Sequence, residues 1–130
     1  MVYRSLRSSD PFPDNLDTGF EKMPVMKNWV WVAEDDGEVV AILLAAPMHG
    51  LVYMMVLRAI NNCAENILFS LLRKCMRDCN ERGFKGFWLH INPGKVHERR
   101  FIPVIKRMGG TQHTDLQAML SCDLGVAARY

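Results

Sequence analysis

Few side chains in this sequence have the type and spacing to do chemistry. Four histidines, His49, His90, His97 and His113, carry imidazoles that titrate near neutral pH and can take up or release a proton. Four cysteines, Cys63, Cys75, Cys79 and Cys122, form no Cys-x-x-Cys pair and stand at no metal-ligand spacing to the histidines, so no metal is expected. Cys75 and Cys79 lie one helical turn apart on an apolar face, as reduced, buried thiols do. His90 alternates with Leu89 and Ile91 and so points to the opposite side of its strand. Lys95, His97, Arg99 and Arg100 form a basic cluster at the start of a predicted helix. It suits an anion or an acidic partner, or simply a solvated face.

The elements that must position these groups centre on Leu51 to Ile91. An apolar run, Leu51 to Leu57, reads as a strand, and Arg58 to Asn62 as a polar turn. Cys63 to Arg82 reads as an amphipathic helix, because Ile67, Leu68, Leu71, Leu72, Cys75, Met76 and Cys79 recur at three- and four-residue steps. Asn62 is a suitable N-cap, Glu65 completes a capping box, and Gly83 ends the helix in the left-handed conformation. Phe84 to Ile91 is the second strand. Strand, helix, strand predicts two parallel strands with a right-handed crossover, and a site where the first strand meets the helix.

The rest of the chain supplies a sheet for that unit. Val2 to Leu6 reads as a short strand, Ser8 to Asp17 as turn chemistry, and Thr18 to Asn28 carries at most one helical turn. Trp29 to Glu34 and Glu38 to Ala46 are strands joined by the hairpin Asp35-Asp36-Gly37. Pro47 to Gly50 is the next loop. The near-continuous apolar runs of this meander predict a sheet covered on both faces. After the turn Asn92-Pro93-Gly94, Val96 to Met108 is a helix that Pro103 either kinks or restarts near Ile102. Gly109 and Gly110 stop it. Thr111 to Asp115 and Leu116 to Asp123 are two further strands, and Gly125 to Tyr130 is a tail.

Composition narrows the class. A chain of 130 residues, 49% hydrophobic, has the size of one domain with one core. A net charge of +2 argues against a nucleic-acid partner. The polar start at Met1 to Asp10 does not read as a signal peptide, and the apolar runs are too short to span a bilayer, so no membrane association is expected. The fold class is mixed α/β (α+β): an antiparallel meander followed by a βαβ unit, with helices on both faces.

From Trp29 to Leu124 the sequence resembles the GNAT acyltransferases (GCN5-related N-acetyltransferases). VAEDDGEVVAILL is similar to that family's second and third strands. LLRKCMRDCNERGFKGFWLHI resembles its long helix and fifth strand, and RFIPVIKRMGG its fourth helix. The resemblance implies acetyl-CoA in an opening between the fourth and fifth strands. Main-chain groups of Val56, Leu57 and Arg58 would hold the pantetheine arm. Cys63, Ala64, Glu65, Asn66, Ile67 and Leu68 would hold the pyrophosphate at the helix start. That segment departs from the family pattern Gln/Arg-x-x-Gly-x-Gly/Ala: Cys63 replaces the Gln or Arg, Asn66 the first Gly and Leu68 the small residue. The family's acid Tyr on the fourth helix is matched by Ile105. Members that use a general base often carry it early on the fourth strand or through ordered water, and the resemblance makes His49, just before that strand, and Tyr53, within it, the catalytic candidates.

Two functions follow from the resemblance. One is an N-acyltransferase moving acetyl from acetyl-CoA to a primary amine, on a small molecule or a protein. The other is a GNAT-like structural or assembly protein without coenzyme A, similar in architecture to acyltransferase-like proteins of tailed phages. Binding of an acyl-CoA without turnover is a third. The short N-terminal third implies either an open acceptor pocket, suited to a large or protein acceptor, or none. The final strands could extend a sheet into a homo-oligomer. The expected location is cytoplasmic: the host cytoplasm, or the virion for a phage protein.

Overall fold

The computed structural model describes residues 1–12, 26–60, 64–92, 94–113 and 118–130. Among them, β1 (Val2–Ser5), β2 (Val30–Asp35), β3 (Glu38–Met48), β4 (Leu51–Ala59), β5 (Gly86–Ile91), β6 (Thr111–Gln112) and β7 (Ala118–Asp123) form one mixed sheet. Its order is β1-β2-β3-β4-β5-β7-β6. The helices are α1 (Glu65–Glu81), α2 (Val96–Arg99), α3 (Phe101–Arg107) and α4 (Leu124–Ala127), with one turn of 3-10 helix at Lys27–Trp29. This is the mixed architecture expected of the sequence. No helix among the described residues is long and apolar enough to cross a membrane.

The chain divides into two compact units. The first holds Met1–Ala45 and Val56–Cys75, the second Ala46–Met55 and Met76–Tyr130.

In the first unit β1 and β2 pair antiparallel, as do β2 and β3. The β2–β3 turn is Asp36-Gly37, with φ of 49° and 79°, the two left-handed residues that a type I′ hairpin requires. Val30 to Ala33 and Ala41 to Leu44 are buried at every position, so both faces of these strands are covered, as their unbroken apolar runs predict. Leu6, Val30, Val32, Ile42 and Leu44 form a cluster against which Val56 and Ile60 pack. The Ile60 N–H donates to Val40 O at 2.9 Å, which ties the end of β4 to β3 beside the bulge at Ala33/Glu34. Arg4 clamps the start of the chain. Its guanidinium donates to both Asp10 oxygens, at 2.7 and 3.2 Å, and to Glu34 Oε1.

In the second unit β4 and β5 run parallel through three pairs: Leu51↔Gly86, Val52↔Phe87 and Tyr53↔Trp88. β5 then pairs with β7 along its whole length, antiparallel, and β7 with β6. Here burial alternates. Phe87, Leu89 and Ile91 are buried, whereas Trp88 is half-buried and His90 exposed. Coverage of both faces, expected for the whole meander, therefore stops at β4, where Val52 is buried but Leu51 and Tyr53 are half-buried and Met55 is exposed.

Several boundaries differ from expectation. α1 begins at Glu65, so Cys63 precedes the helix, and the expected Asn62 cap lies outside the described residues. The helix ends as expected. Gly83 has φ 92°, Phe84 N–H reaches Cys79 O and Gly83 N–H reaches Asn80 O, the two bonds of a Schellman motif. The loop expected at Pro47 to Gly50 is shorter. β3 continues to Met48, and His49 (φ 53°) with Gly50 (φ 78°) makes a second two-residue turn. The helix expected over Val96 to Met108 is two helices broken at Arg100. Pro103 then falls in the first turn of α3, where its missing N–H costs no helical bond. The expected tail contains α4: the Asp123 side chain caps it by accepting from the Val126 N–H at 3.1 Å, and Leu124 and Ala127 are buried.

Two substitutions test this packing. A Cβ added at Gly110 would lie 2.4 Å from Ile105 Cγ2, 2.7 Å from Ile105 O and 3.1 Å from Cys122 Sγ. Because a backbone oxygen cannot swing away, Gly110→Ala is expected to lower stability by about 1–3 kcal/mol in urea unfolding, as overpacking does. Asp10 is held down to about 2 from 3.8, first by the Arg4 hydrogen bonds and then by the Arg7 N–H. A depressed carboxylate stabilises the fold above its unfolded pKa and loses that effect as pH falls through its folded one. Wild type should therefore exceed Asp10→Asn by a constant margin above about pH 4, with the margin closing towards pH 2 in urea midpoints taken across that range.

Candidate functional site

The residues expected to hold a coenzyme divide between the end of β4 and the start of α1, both in the first unit. Val56 is half-buried against the Leu6–Leu44 cluster, Leu57 is half-buried and Arg58 exposed. Ala64 is exposed and immediately precedes α1; Glu65 is half-buried, Asn66 exposed, and Ile67 and Leu68 half-buried. Cys63 lies outside the described residues. A helix of 17 residues places a partial positive charge and N–H donors at this end, which suits an anionic group.

The side chains there fit a pyrophosphate less well than the main chain does. Glu65, the acid of the first turn, keeps its Oε1 out of solvent at the positive end of the helix. The Ile67 N–H donates to Ala64 O at 2.9 Å, so that amide is engaged within the chain. Exposed Ala64 and Asn66 leave the outer side of the turn open to a ligand.

The catalytic candidates separate. His49 is exposed in the turn before β4. Its backbone is left-handed, with φ 53°. Tyr53 lies on the last rung of the parallel ladder, with its ring stacked on Trp88 at 6.4 Å between centroids and 23° between planes. His90 is exposed two residues beyond Trp88, opposite Met119. Ile105, at the position of the resembled family's acid Tyr, is fully buried core.

The basic cluster is a helix surface. Lys95, Arg99 and Arg100 are exposed, and Lys95 pairs with Glu98 at 3.7 Å. The His97 side chain is outside the described set. Among the described residues no group of three His, Cys, Asp or Glu side chains is placed to hold a metal. Cys75, Cys79 and Cys122 are buried and in no disulfide, and burial pushes the Cys122 thiol up to about 11, so it stays protonated and unreactive at neutral pH.

Sequence reasoning missed a group that the strand order assembles. The His113 ring stacks on Trp88 at 4.9 Å and 19°, and its Nε2 lies 2.7 Å from Ser121 Oγ. Trp88 and Ser121 are direct partners across β5 and β7, and Tyr53 is the partner of Trp88 across β4 and β5. Alternation marks Trp88 and His90 as one face of their strand. Only the pairing of β7 between β5 and β6 brings His113 to it.

No protein-family model matches the sequence, and no curated protein matches it significantly. Solved structures do. The ribosomal-protein-S18-alanine N-acetyltransferase from Escherichia coli superposes with a TM-score of 0.69 over 95% of this chain and 93% of that one, at 10% identity. The ribosomal-protein-alanine N-acetyltransferase from Brucella melitensis gives 0.57 over 71% and 65%, at 19% identity. The PaiA N-acetyltransferase from Thermoplasma acidophilum, solved with coenzyme A, gives 0.59 over 72% and 59%, at 13% identity. An aminoglycoside 6′-acetyltransferase gives 0.60 over 73% and 68%, at 16% identity. With the meander, the long crossover helix and the parallel β4–β5 pair all in place, this chain has the GNAT acetyltransferase fold.

Proposed function

We propose that the chain is an N-acyltransferase that moves an acetyl group from acetyl-CoA to a primary amine. The observation that carries this reading is the β4–α1–β5 unit, whose parallel ladder ends at Tyr53↔Trp88 while β4 runs on to Ala59. Main-chain groups past a ladder's end need another partner, and a ligand can be one. Acetyl-CoA would supply the thioester. Main-chain groups of Val56, Leu57 and Arg58 orient the pantetheine arm. The first turn of α1, from Ala64 to Leu68, receives the pyrophosphate. The amine nitrogen bonds to the thioester carbonyl carbon, the carbon–sulfur bond breaks, and the proton lost by nitrogen ends on the departing thiol.

The alternative, a scaffold without coenzyme, is favoured by one specific observation. Asn66 and Leu68 stand in the first turn of α1, where the resembled pattern has small residues that leave room for phosphate, and Glu65 brings a carboxylate there. The carboxylate competes with phosphate for the same positive helix end. The Leu side chain occupies space near the approach to the main chain.

Differential scanning fluorimetry with coenzyme A separates the two readings. At a hundredfold excess over Kd, binding to the folded state alone adds about 2.7 kcal/mol and should raise Tm by on the order of 10 °C. No shift, together with no heat in calorimetry, would remove the enzyme reading. Binding without thiol release from acetyl-CoA with any amine would mark a non-catalytic acyl-CoA module.

A second expectation concerns Glu65 itself. A charge at a helix terminus is worth about 0.3–1 kcal/mol, so Glu65→Gln should tighten coenzyme A binding by roughly two- to fivefold. The same change should slightly lower the stability of the ligand-free protein. Calorimetric titration of both forms measures the first effect and urea unfolding the second.

A further inference from the structure

One hydroxyl and one imidazole that the coenzyme reading does not use stand in hydrogen-bond contact. His113 Nε2 lies 2.7 Å from Ser121 Oγ. A hydroxyl is a weak nucleophile until a base within about 2.6–3.2 Å takes its proton, and a third group must hold that base in line. Here both partners are held. Ser121 lies within β7, paired with Trp88 on one side and Thr111 on the other. His113 follows β6: its N–H donates to Met119 O at 2.7 Å, and its ring lies on the Trp88 indole at 4.9 Å and 19°. Tyr53 stacks on Trp88 in turn. All of these residues belong to the second unit.

The indole can serve the two purposes that a carboxylate serves beside a catalytic histidine. It fixes the plane of the ring, and its face favours the imidazolium that forms when the proton moves. Direct partners in an antiparallel pair carry their side chains on one face, with Cβ atoms about 5 Å apart, so the Thr111 hydroxyl can turn to donate to an oxyanion formed at Ser121. His113 and Thr111 are exposed, and Ser121, Trp88 and Met119 are half-buried. The pair therefore opens to solvent beside an indole and a thioether. That setting suits a short acyl chain on a good leaving group.

We infer that Ser121 is a nucleophile with His113 as its general base and Trp88 as the positioning residue, which gives the second unit an esterase-type activity toward small activated esters. In the reactive tautomer the Ser121 hydroxyl donates to Nε2 and the ring proton sits on Nδ1. Oγ bonds to the ester carbonyl carbon, and the bond from that carbon to the leaving oxygen breaks, its electron pair going to that oxygen. The Oγ proton passes to Nε2 and then to the leaving oxygen. Water attacks the acyl-serine in the same way, its proton passing through Nε2 back to Oγ, and the free acid leaves. Coenzyme A takes no part, so this activity stands or falls apart from the acyltransferase reading.

The test uses the full chain with two probes, p-nitrophenyl acetate and a fluorophosphonate. The ester is followed by release of p-nitrophenolate, and peptide mapping of the acid-quenched protein locates the acetyl group. Ser121→Ala and His113→Ala should each slow the reaction roughly hundredfold, and the double variant should be no slower than either, because the two side chains act as a unit. Added imidazole should restore part of the rate to His113→Ala, above its own rate with the double variant. Trp88→Ala should slow acylation roughly two- to fivefold, and Trp88→Phe should recover most of that loss. Thr111→Val should slow it about tenfold or more, and Thr111→Ser should not.

Urea unfolding of each variant separates loss of fold from loss of chemistry. Where a variant does not fold, labelling of the wild type decides: the fluorophosphonate should add one phosphonyl group, on Ser121, and block release of p-nitrophenolate. The inference is overturned if the acetyl or phosphonyl group maps to another residue, if neither probe labels the folded protein, if Ser121→Ala keeps the wild-type rate, or if imidazole fails to rescue a folded His113→Ala.

Discussion

Three parallel rungs, Leu51↔Gly86 to Tyr53↔Trp88, are the constraint on which the other elements depend. Parallel neighbours cannot be joined by a tight turn, so the chain must cross over, and α1 is the crossover. Its 17 residues span about 25 Å, enough to return the chain to the start of β4. The Gly83 motif then reverses direction within two residues. Lys85 N–H meets Gly50 O at 3.2 Å, and Leu124 N–H meets Lys85 O at 2.9 Å. Gly86 completes the join: a Cβ there would lie 2.6 Å from Leu51 Cδ2, so the bare glycine lets the Leu51 side chain lie across β5. Past Tyr53 each strand has other obligations. Val56 and Ile60 pack in the first unit, whereas β5 is held by six pairs to β7.

Much of this was legible because it is local. The 3.6-residue period of α1 places Leu71, Leu72, Cys75, Met76 and Cys79 in the core, and they are buried. Asp-Gly and Gly83 act through φ > 0, which few residues accept, so their positions mark turns wherever they occur. Short elements were less legible because a few residues decide them. α4 depends on one Asp123 hydrogen bond, and the α2–α3 break falls at Arg100, three residues ahead of the proline that announces it. Pro103 shows only that some turn must begin nearby, since the first turn of a helix is where its missing donor does no harm.

The candidate site was legible in part for the same reason. Strand end and helix start are adjacent in sequence, so Val56 to Arg58 and Ala64 to Leu68 could be named without knowing the sheet. The aromatic series could not. Tyr53, Trp88 and His113 are spread over 60 positions of the chain, and they meet through a strand order, β4-β5-β7-β6, in which the last two elements exchange places. Nothing in the composition of β6 or β7 requires that exchange; it follows from β7 taking the free edge of β5. His49 could be named for the same local reason: it stands next to a strand, in the turn that precedes β4.

Magnitudes decide how far the altered helix start can change the chemistry. Glu65 at the N-terminus of α1 stabilises the helix and opposes an anion through one electrostatic effect of about 0.3–1 kcal/mol. A ligand held at micromolar affinity is bound by about 8 kcal/mol. By that effect alone the carboxylate would weaken a coenzyme within an order of magnitude and would not exclude it. Exclusion requires a steric cause, and Leu68 is the residue with the volume for it. Half-buried, it has part of its side chain in contact with the fold and part outside. A leucine that packs inward leaves the main chain of the first turn approachable, whereas one that stands over the turn removes the approach altogether. The balance between acyltransferase and scaffold thus rests on the packing of one side chain rather than on the net charge of the helix end.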